Sequence, residues 1–289
     1  MPAFLKGALR AIFLALNTIG TFSLMIPASL IKLVTPAGSS VRSLCDRLLN
    51  ALASGWVARN NVVICNPQAA QWQVEGMDQL SPKAWYLVLP NHRSWVDILL
   101  LQRSFHGHIP FLKFFLKQSL IYVPVIGLAW WALDFPFMKR GKGRSSRASD
   151  MAATRKACER FRHLPTTVIN FVEGTRFTAA KHLQQSSPYK HLLKPRLGAL
   201  GVALTAMGDQ FTSALSVTLV YPEGTPSFWQ LLCGQVRQVK VLVHTELIPE
   251  ILRGDGDPEG QERRQALQAW MQQMWQAMDE RIERALQTS

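Results

Sequence analysis

The chain contains few cysteines, few acidic residues and no evident internal repeat. Its cysteines are scattered without a CxxC pair, at Cys45, Cys65, Cys158 and Cys233. This pattern argues against a disulfide framework and against a cysteine-ligated metal site, and it favours a reducing, cytosolic compartment. His106 and His108 lack a third ligand at the usual spacing, so we expect no metal ion.

Acidic residues are outnumbered, with 19 Asp and Glu against 32 Lys and Arg, which gives a net charge of +13. A basic chain that is 48% hydrophobic suits an anionic partner, and by composition alone nucleic acid and anionic lipid both qualify. No zinc-finger, RNA-stacking or helix-turn-helix signature accompanies the charge, so we expect no nucleic acid. A length of 289 residues is enough to bury one large core.

The densest charge lies in residues 139–162, where nine basic residues accompany two acidic ones. The first part of this segment is rich in Gly and Ser and is typical of a loop, whereas the second part has a helical apolar face. Two interpretations stay open. The segment is either a solvated helix face or a surface that gathers phosphate-bearing substrates and anionic lipid headgroups.

One long run without charge stands near the N-terminus, at residues 11–31. Its 21 residues are enough to span a bilayer, although polar side chains dilute its hydrophobicity and basic residues flank both ends. The run therefore either spans the membrane or enters one leaflet. A signal peptide and a buried soluble helix are the less favoured alternatives.

Two further segments have helical periodicity. Residues 41–56 predict an amphipathic helix that lies at the membrane interface or packs on the rest of the protein. Residues 262–286 predict a helix whose broad apolar face packs on the core, with a membrane or partner surface as the alternative.

The segment Asn-His-Arg-Ser-Trp-Val-Asp at residues 91–97 follows a predicted buried strand at residues 84–90. His92 therefore lies at the carboxyl end of a strand, and Asp97 lies about one turn into the next helix. An imidazole removes a proton near neutral pH, and a carboxylate five residues away can fix its tautomer. The structural alternative is a histidine that satisfies a loop and an aspartate that caps a helix.

A second polar segment, Phe-Val-Glu-Gly-Thr-Arg at residues 171–176, follows another predicted strand at residues 166–170. A Gly-Thr turn lets the backbone approach an anion, and the guanidinium of Arg176 suits phosphate. Taken alone, the tetrapeptide Glu-Gly-Thr-Arg also fits a plain turn closed by an ion pair.

Together these segments resemble the glycerolipid acyltransferase family, the 1-acylglycerol-3-phosphate acyltransferases, whose motifs include NHxxxxD and EGTR. Residues 113–117 with Leu120, Pro124 and Gly127 resemble the second block of the family, and residues 137–140 resemble its strand that ends in Arg. Residues 192–196 and 217–222 are similar to the lysocardiolipin acyltransferase-like branch. The resemblance covers about residues 70–250.

The resemblance and the broadly alternating order of elements imply an α/β fold, a mixed sheet flanked by helices. We expect residues 1–60 to form N-terminal membrane-associated helices, and residues 61–289 to form the acyltransferase domain with its C-terminal helix. The resemblance further implies a bacterial-type inner membrane, with the catalytic domain on the cytoplasmic side.

As the resemblance implies, His92 removes a hydroxyl proton and Asp97 orients His92. The acceptor phosphate would be held by the second motif, with added charge from elsewhere in the chain: Glu173, Gly174, Thr175, Arg176, Arg140 and Lys113. The tetrahedral oxyanion needs a hydrogen-bond donor, for which we expect backbone amides after Asn91.

The reaction implied is acyl transfer from acyl-coenzyme A, a co-substrate, to 1-acylglycerol 3-phosphate, without a bound cofactor. Two alternatives remain. The acceptor is another lysophospholipid, such as lysophosphatidylglycerol or lysocardiolipin, or the chain is a non-catalytic, basic membrane-binding protein. The sequence does not define an oligomeric state.

Overall fold

The computed structural model describes residues 2–36, 38–64, 71–114, 116–123, 126–135, 137–138, 165–254 and 260–288. Its centre is a six-stranded sheet in the order β1-β8-β7-β2-β6-β3. These strands are β1 (Gln71–Glu75), β2 (Tyr86–Pro90), β3 (Leu112–Phe114), β6 (Thr167–Ile169), β7 (Ser213–Val220) and β8 (Gln238–Glu246). Two short strands, β4 (Leu116–Lys117) and β5 (Phe137–Met138), pair separately in parallel.

Every neighbouring pair in the six-stranded sheet is parallel except β7 and β8, which run antiparallel. All residues of β2 and β7 are buried, as is typical of strands covered on both faces by helices. The sheet therefore confirms the predicted mixed α/β fold. It also brings the ends of β2 and β6 together, because the two strands are parallel neighbours.

Helices cover both faces of the sheet. The helices after the N-terminal pair are α3 (Val96–Phe105), α4 (Ile126–Ala132), α5 (Ala179–Gln185), α6 (Gly198–Met207), α7 (Phe228–Leu232) and α8 (Gln261–Gln287). Residues of α3 and α7 pack with strand residues in one buried cluster, and residues of α6 and α8 pack with strand residues in another. The apolar face of α8 buries Met271, Trp275 and Met278 in the same cluster as Leu87 of β2. The packing predicted for the C-terminal helix is thus confirmed.

The N-terminal helices α1 (Ala3–Val34) and α2 (Ser40–Ile64) form an antiparallel hairpin joined by polar side chains. Asn17 donates to the carbonyl of Trp56 at 3.1 Å and to Asn60 Oδ1 at 2.7 Å, and the indole of Trp56 donates to Thr18 Oγ1 at 3.0 Å. Arg59 Nε donates to Asn17 Oδ1 at 2.6 Å. Asn17 and Thr18, two of the polar residues that dilute the apolar run, therefore face α2.

The outer side of α1 is largely apolar, and Ser23 is its exposed polar residue. Twelve of its exposed residues are large and hydrophobic: Phe4, Leu5, Leu9, Ile12, Phe13, Leu16, Ile19, Leu24, Leu30, Ile31, Leu33 and Val34. By length and composition α1 is able to cross a membrane. This surface continues on α2 through Val41, Leu44 and Leu48.

Both ends of α1 are bound to the rest of the protein. Near its start, Arg10 Nη1 donates to the carbonyl of Leu232 in α7 at 3.1 Å. Near its end, the buried ammonium of Lys32 contacts Asp46 at 2.6 Å, Asp134 at 2.5 Å and the carbonyl of Ala132 at 2.7 Å. At about 1.5 Å per residue the helix is about 48 Å long. It therefore lies along the sheet domain instead of projecting away from it.

Candidate active site

A cavity of about 450 Å³ opens at the carboxyl ends of β2 and β6, between the sheet and the N-terminal hairpin. Its inner walls are apolar and come from several elements, including Phe22, Ala53, Phe111, Trp130 and Phe135. Among the residues that the structure describes, its polar lining consists of His92, Gln102, Asn170, Thr175 and Arg176. An apolar cavity with a few polar groups at one end suits a lipid chain with a polar reacting group.

The structure brings His92 and Asp97 together as the sequence predicted. His92 follows β2 by two residues, Asp97 lies in the first turn of α3, and Nδ1 of His92 is 2.8 Å from Oδ2 of Asp97. The imidazole stacks on Phe171 with 4.1 Å between ring centroids. An ionised carboxylate only accepts hydrogen bonds, so Nδ1 carries the proton and the lone pair of Nε2 is left for a substrate.

The carboxylate of Asp97 is fully buried and accepts three further hydrogen bonds. The amides of Arg93 and Ser94 donate to Oδ2 at 2.6 and 2.8 Å, and the hydroxyl of Tyr221 donates to Oδ1. Burial and the charge of Asp97 raise the pKa of Tyr221 well above its usual value, so the hydroxyl stays a donor. Asp97 is therefore held in one position by four donors. Sequence reasoning missed Tyr221, which lies 124 residues away.

Asn91 fixes the loop that carries His92. Its side-chain amide donates to the carbonyl of Leu219 at 3.0 Å and its Oδ1 accepts from the amide of Leu219 at 2.7 Å. These two bonds extend the pairing between β2 and β7 beyond the end of β2.

Glu173 lies on the inner side of its turn and does not line the cavity. It is fully buried, and its two oxygens accept from the amides of His92 at 2.7 Å and Leu193 at 3.0 Å. Burial raises the pKa of Glu173 to about 7, against the opposing effect of these amides and of Arg93. Glu173 therefore connects its own turn to the loop of His92 and to the segment of Leu193. The sequence had instead predicted that Glu173 would bind the acceptor.

Gly174, Thr175 and Arg176 do line the cavity, as expected for an acceptor site. Gly174 has a φ of +68°, a conformation that favours glycine. The guanidinium of Arg176 lies over the ring of Trp95, 4.9 Å from its centroid, at the exposed rim. The turn is connected to the loop of His92, because the amide of Phe177 donates to the carbonyl of His92 at 2.7 Å.

The remaining predicted residues fall elsewhere. Lys113 is buried on β3 and does not line the cavity, and burial lowers its pKa to about 8 in an environment that includes Asp134, Lys32 and Asp46. Lys113 therefore does not lie at the cavity, where we expected it to add positive charge to the substrate site. Arg140 and the charged segment 139–162 lie outside the described residues.

The backbone amides after Asn91, which we expected to bind the oxyanion, already have hydrogen-bond partners. The amides of His92, Arg93 and Ser94, which come directly after Asn91, all donate to carboxylates of Glu173 or Asp97. These hydrogen bonds hold the loop of His92 and the carboxylate of Asp97 in place, so the three amides are not free to bind a substrate oxygen.

Comparison with known proteins identifies an acyltransferase domain in the chain. The acyltransferase family model matches residues 71–208. The chain is 28% identical over 186 residues to 1-acyl-sn-glycerol-3-phosphate acyltransferase 2 of Arabidopsis thaliana, covering 58% of this chain and 46% of that protein. It is 23% identical over 298 residues to lysocardiolipin acyltransferase 1 of Danio rerio, covering 98% of this chain and 72% of that protein. The chain spans about half the length of the plant relatives that it matches.

The fold has a counterpart among solved structures. The crystal structure of the 1-acyl-sn-glycerophosphate (LPA) acyltransferase PlsC from Thermotoga maritima superposes with a TM-score of 0.53 at 16% identity, covering 99% of this chain and 96% of that one. At this identity the likeness shows the fold alone. The family match and the relatives show that residues 71–208 contain an acyltransferase domain, which is similar to that of the 1-acyl-sn-glycerol-3-phosphate acyltransferases.

Proposed function

We propose that this protein transfers a fatty acyl group from acyl-coenzyme A to the sn-2 hydroxyl of 1-acylglycerol 3-phosphate, giving phosphatidic acid. The observation that carries the proposal is the pair of His92 and Asp97, 2.8 Å apart, at the polar end of an apolar cavity of about 450 Å³. A base, a space for an acyl chain and the cation of Arg176 occur together there.

In the proposed reaction, Nε2 of His92 takes the hydroxyl proton as the acceptor oxygen attacks the thioester carbonyl. Asp97 stabilises the imidazolium that forms. The tetrahedral intermediate then collapses, the carbon–sulfur bond breaks, and the imidazolium returns its proton to the leaving thiolate of coenzyme A. The apolar walls hold the acyl chain, and Arg176 binds the phosphate of the acceptor. No covalent acyl-enzyme and no metal or cofactor enters these steps.

A second acceptor class has its own support. The relative that matches nearly the whole chain is named a lysocardiolipin acyltransferase, and the likeness extends over 98% of this chain. The same site with a lysophosphatidylglycerol or lysocardiolipin acceptor is therefore the alternative proposal. The chemistry at His92 is unchanged in that alternative, because the acceptor differs only in its headgroup.

We also propose how the protein meets the membrane. The outer face of α1 is largely apolar, and both ends of the helix are bound to the sheet domain through Arg10 and Lys32. A helix that crossed the bilayer would have to give up one of these attachments. The hairpin therefore lies in one leaflet of a bacterial-type inner membrane, with the catalytic domain on the cytoplasmic side. Embedding of this kind predicts that the protein stays with membranes in high salt, which a purely electrostatic contact does not.

The function is tested with purified protein in detergent, acyl-coenzyme A and a panel of lysophospholipids, following thiol release and lipid product together. We expect acceptor-dependent thiol release by the wild type, and a loss of about 10²–10⁴-fold in kcat for His92→Ala. Arg176→Ala is expected mainly to raise KM for the acceptor. His108→Ala, at an exposed histidine away from the cavity, is the control and should retain full activity.

Thiol release that is equal in the wild type and His92→Ala would refute the role of His92. Absence of product with every acceptor, and with an acyl carrier protein as the alternative donor, would favour the non-catalytic, membrane-binding alternative.

A further inference from the structure

The C-terminal helix α8 holds one short segment next to the catalytic site, residues 190–193, which we call the connecting segment. The carboxylate of Asp279 accepts from the first two amides of this segment, at 2.8 and 2.7 Å. At the other end of the segment, the indole of Trp275 donates to the carbonyl of Leu193 at 3.0 Å. Trp275 and Leu193 are both fully buried, so this second contact is closed to solvent.

Other backbone groups of the connecting segment bind the loop of His92 and the turn of Glu173. The carbonyl of His191 accepts from Arg93 Nη2 at 3.0 Å, and Arg93 is the residue after the base. The amide of Leu193 donates to one oxygen of Glu173 at 3.0 Å, and the other oxygen accepts from the amide of His92 at 2.7 Å. His191 and Leu193 therefore each use one backbone group to bind α8 and the other to bind the catalytic site.

Arg93 connects the same parts through its side chain. Its guanidinium lies over the ring of Phe177, 4.8 Å from the centroid, while the amide of Phe177 donates to the carbonyl of His92 at 2.7 Å. The loop of His92, the turn after β6 and the connecting segment therefore meet around one guanidinium. A shift of the connecting segment changes the position of Arg93 as well as that of Glu173.

This chain of contacts does not pass through the substrate cavity. Within the described residues, the cavity wall includes no residue of the connecting segment and none of α8. The helix α8 also lies beyond residues 71–208, which match the acyltransferase family model. A substitution on this face of α8 therefore reaches the reaction through the position of the base, without the loss of a contact in the cavity wall.

We infer that Trp275 and Asp279 are positioning residues for His92 and that they act through the connecting segment. The inference rests on the proposed function and deepens it, because it adds the C-terminal helix to the parts of the chain that set the rate. Loss of either side chain leaves backbone groups of the connecting segment without their hydrogen bonds, so the segment shifts to recover partners. A misplacement of about 1 Å that starts far from the chemistry can cost about 10²-fold in rate.

The test compares Trp275→Phe and Asp279→Ala with the wild type in the detergent assay of acyl transfer. Trp275→Phe keeps an aromatic ring and removes the indole donor, and Asp279→Ala removes both acceptor oxygens. Two substitutions on the same helix are the controls. Met271→Ala shortens a fully buried side chain in the same cluster as Trp275, and Glu280→Ala removes an exposed carboxylate next to Asp279.

We expect Trp275→Phe and Asp279→Ala to lower kcat about tenfold, with KM for both substrates within about threefold of the wild type. Met271→Ala should lower Tm because it creates a cavity, and should keep kcat per folded protein within about threefold. Glu280→Ala should change neither Tm nor kcat. A loss of kcat that follows the loss of Tm in all four variants would overturn the inference. So would a rise in KM with kcat unchanged.

A double-mutant cycle tests the route of the effect. Trp275 and Glu173 bind the carbonyl and the amide of the same residue, Leu193. Trp275→Phe and Glu173→Gln therefore disturb one connection from its two sides, and their effects on kcat should not multiply. We expect kcat of the double variant within about threefold of that of the slower single variant. Losses that multiply in full would show that Trp275 acts by another route and would overturn the inference.

Hydrogen–deuterium exchange separates this inference from the proposed function, because it needs no turnover. Exchange of the amides of residues 92–94 is measured in the wild type, Trp275→Phe, Asp279→Ala and Met271→Ala. We expect exchange at least about threefold faster in Trp275→Phe and Asp279→Ala, but not in Met271→Ala. That result supports the positioning role even if the wild type transfers no acyl group, and unchanged exchange would then refute it. In an active protein, unchanged kcat in both variants would refute the inference and leave the proposed function in place.

Discussion

Glu173→Gln tests whether the buried carboxyl group of Glu173 makes the free energy of unfolding depend on pH. Glu173 is fully buried, and its pKa rises from 4.5 to about 7 because burial disfavours the charged form. A carboxyl whose pKa is raised on folding binds its proton more tightly in the folded state. Its contribution to stability is therefore complete below about pH 4.5 and is lost as the pH rises through about 7.

The size of the effect comes from the two pKa values. The difference between 4.5 and about 7 corresponds to about 3 kcal/mol of unfolding free energy that wild type loses across this pH range. Glutamine cannot ionise and has no such loss. It also presents an NH₂ group to one of the two amides that Glu173 accepts from, which costs about 1–3 kcal/mol at every pH.

The free energies of unfolding of wild type and Glu173→Gln are compared in detergent at pH 5 and pH 8. Glu173→Gln is expected to be the less stable protein at pH 5 and to gain about 2.5 kcal/mol relative to wild type between pH 5 and pH 8, because wild type has already lost part of the total at pH 5. Glu223→Gln, at an exposed carboxylate, is the control and should shift stability by less than about 0.5 kcal/mol at both pH values. A stability difference between wild type and Glu173→Gln that is the same at pH 5 and pH 8 would refute this reasoning.

Two further substitutions test the base and the cavity. Tyr221→Phe removes a donor from Asp97, so it should lower kcat about tenfold with KM unchanged. Tyr86→Phe, which removes another buried hydroxyl, should leave kcat unchanged. Ala53→Phe fills part of the cavity. It should lower kcat/KM for long acyl chains about tenfold relative to chains that are shorter by two methylene groups. Two buried methylene groups contribute about 1.6 kcal/mol, which corresponds to about this factor. Ala51→Phe, at an exposed position of the same helix, should leave the acyl-chain preference unchanged.

Local patterns were enough to predict the strand ends and the polar clusters next to them. A run of aliphatic residues before a polar cluster located β2 and β6, and the spacing of His92 and Asp97 placed them at the end of a strand and the start of a helix. Their hydrogen bond spans five residues, so it depends on local geometry. Parallel pairing of β2 and β6 then brings the two motifs together.

Contacts between distant segments were beyond the sequence pattern. The direction of Glu173 is set by the amides of His92 and Leu193, which lie 81 and 20 residues away. Lys113 turns inward on β3 in an environment set by Lys32 and Asp134, which come from other elements. No periodicity within a segment reports such partners.

The attachment of the N-terminal hairpin has a consequence for any attempt to make a water-soluble form of this protein. Phe22 of α1 and Ala53 and Trp56 of α2 are part of the cavity wall. Removing the hairpin to improve solubility would therefore open one side of the cavity to water and leave Asp134 without the ammonium of Lys32. Under the proposed function, the membrane anchor and the acyl-chain pocket are therefore one unit, and the helices expected to contact the lipid also enclose the acyl chain.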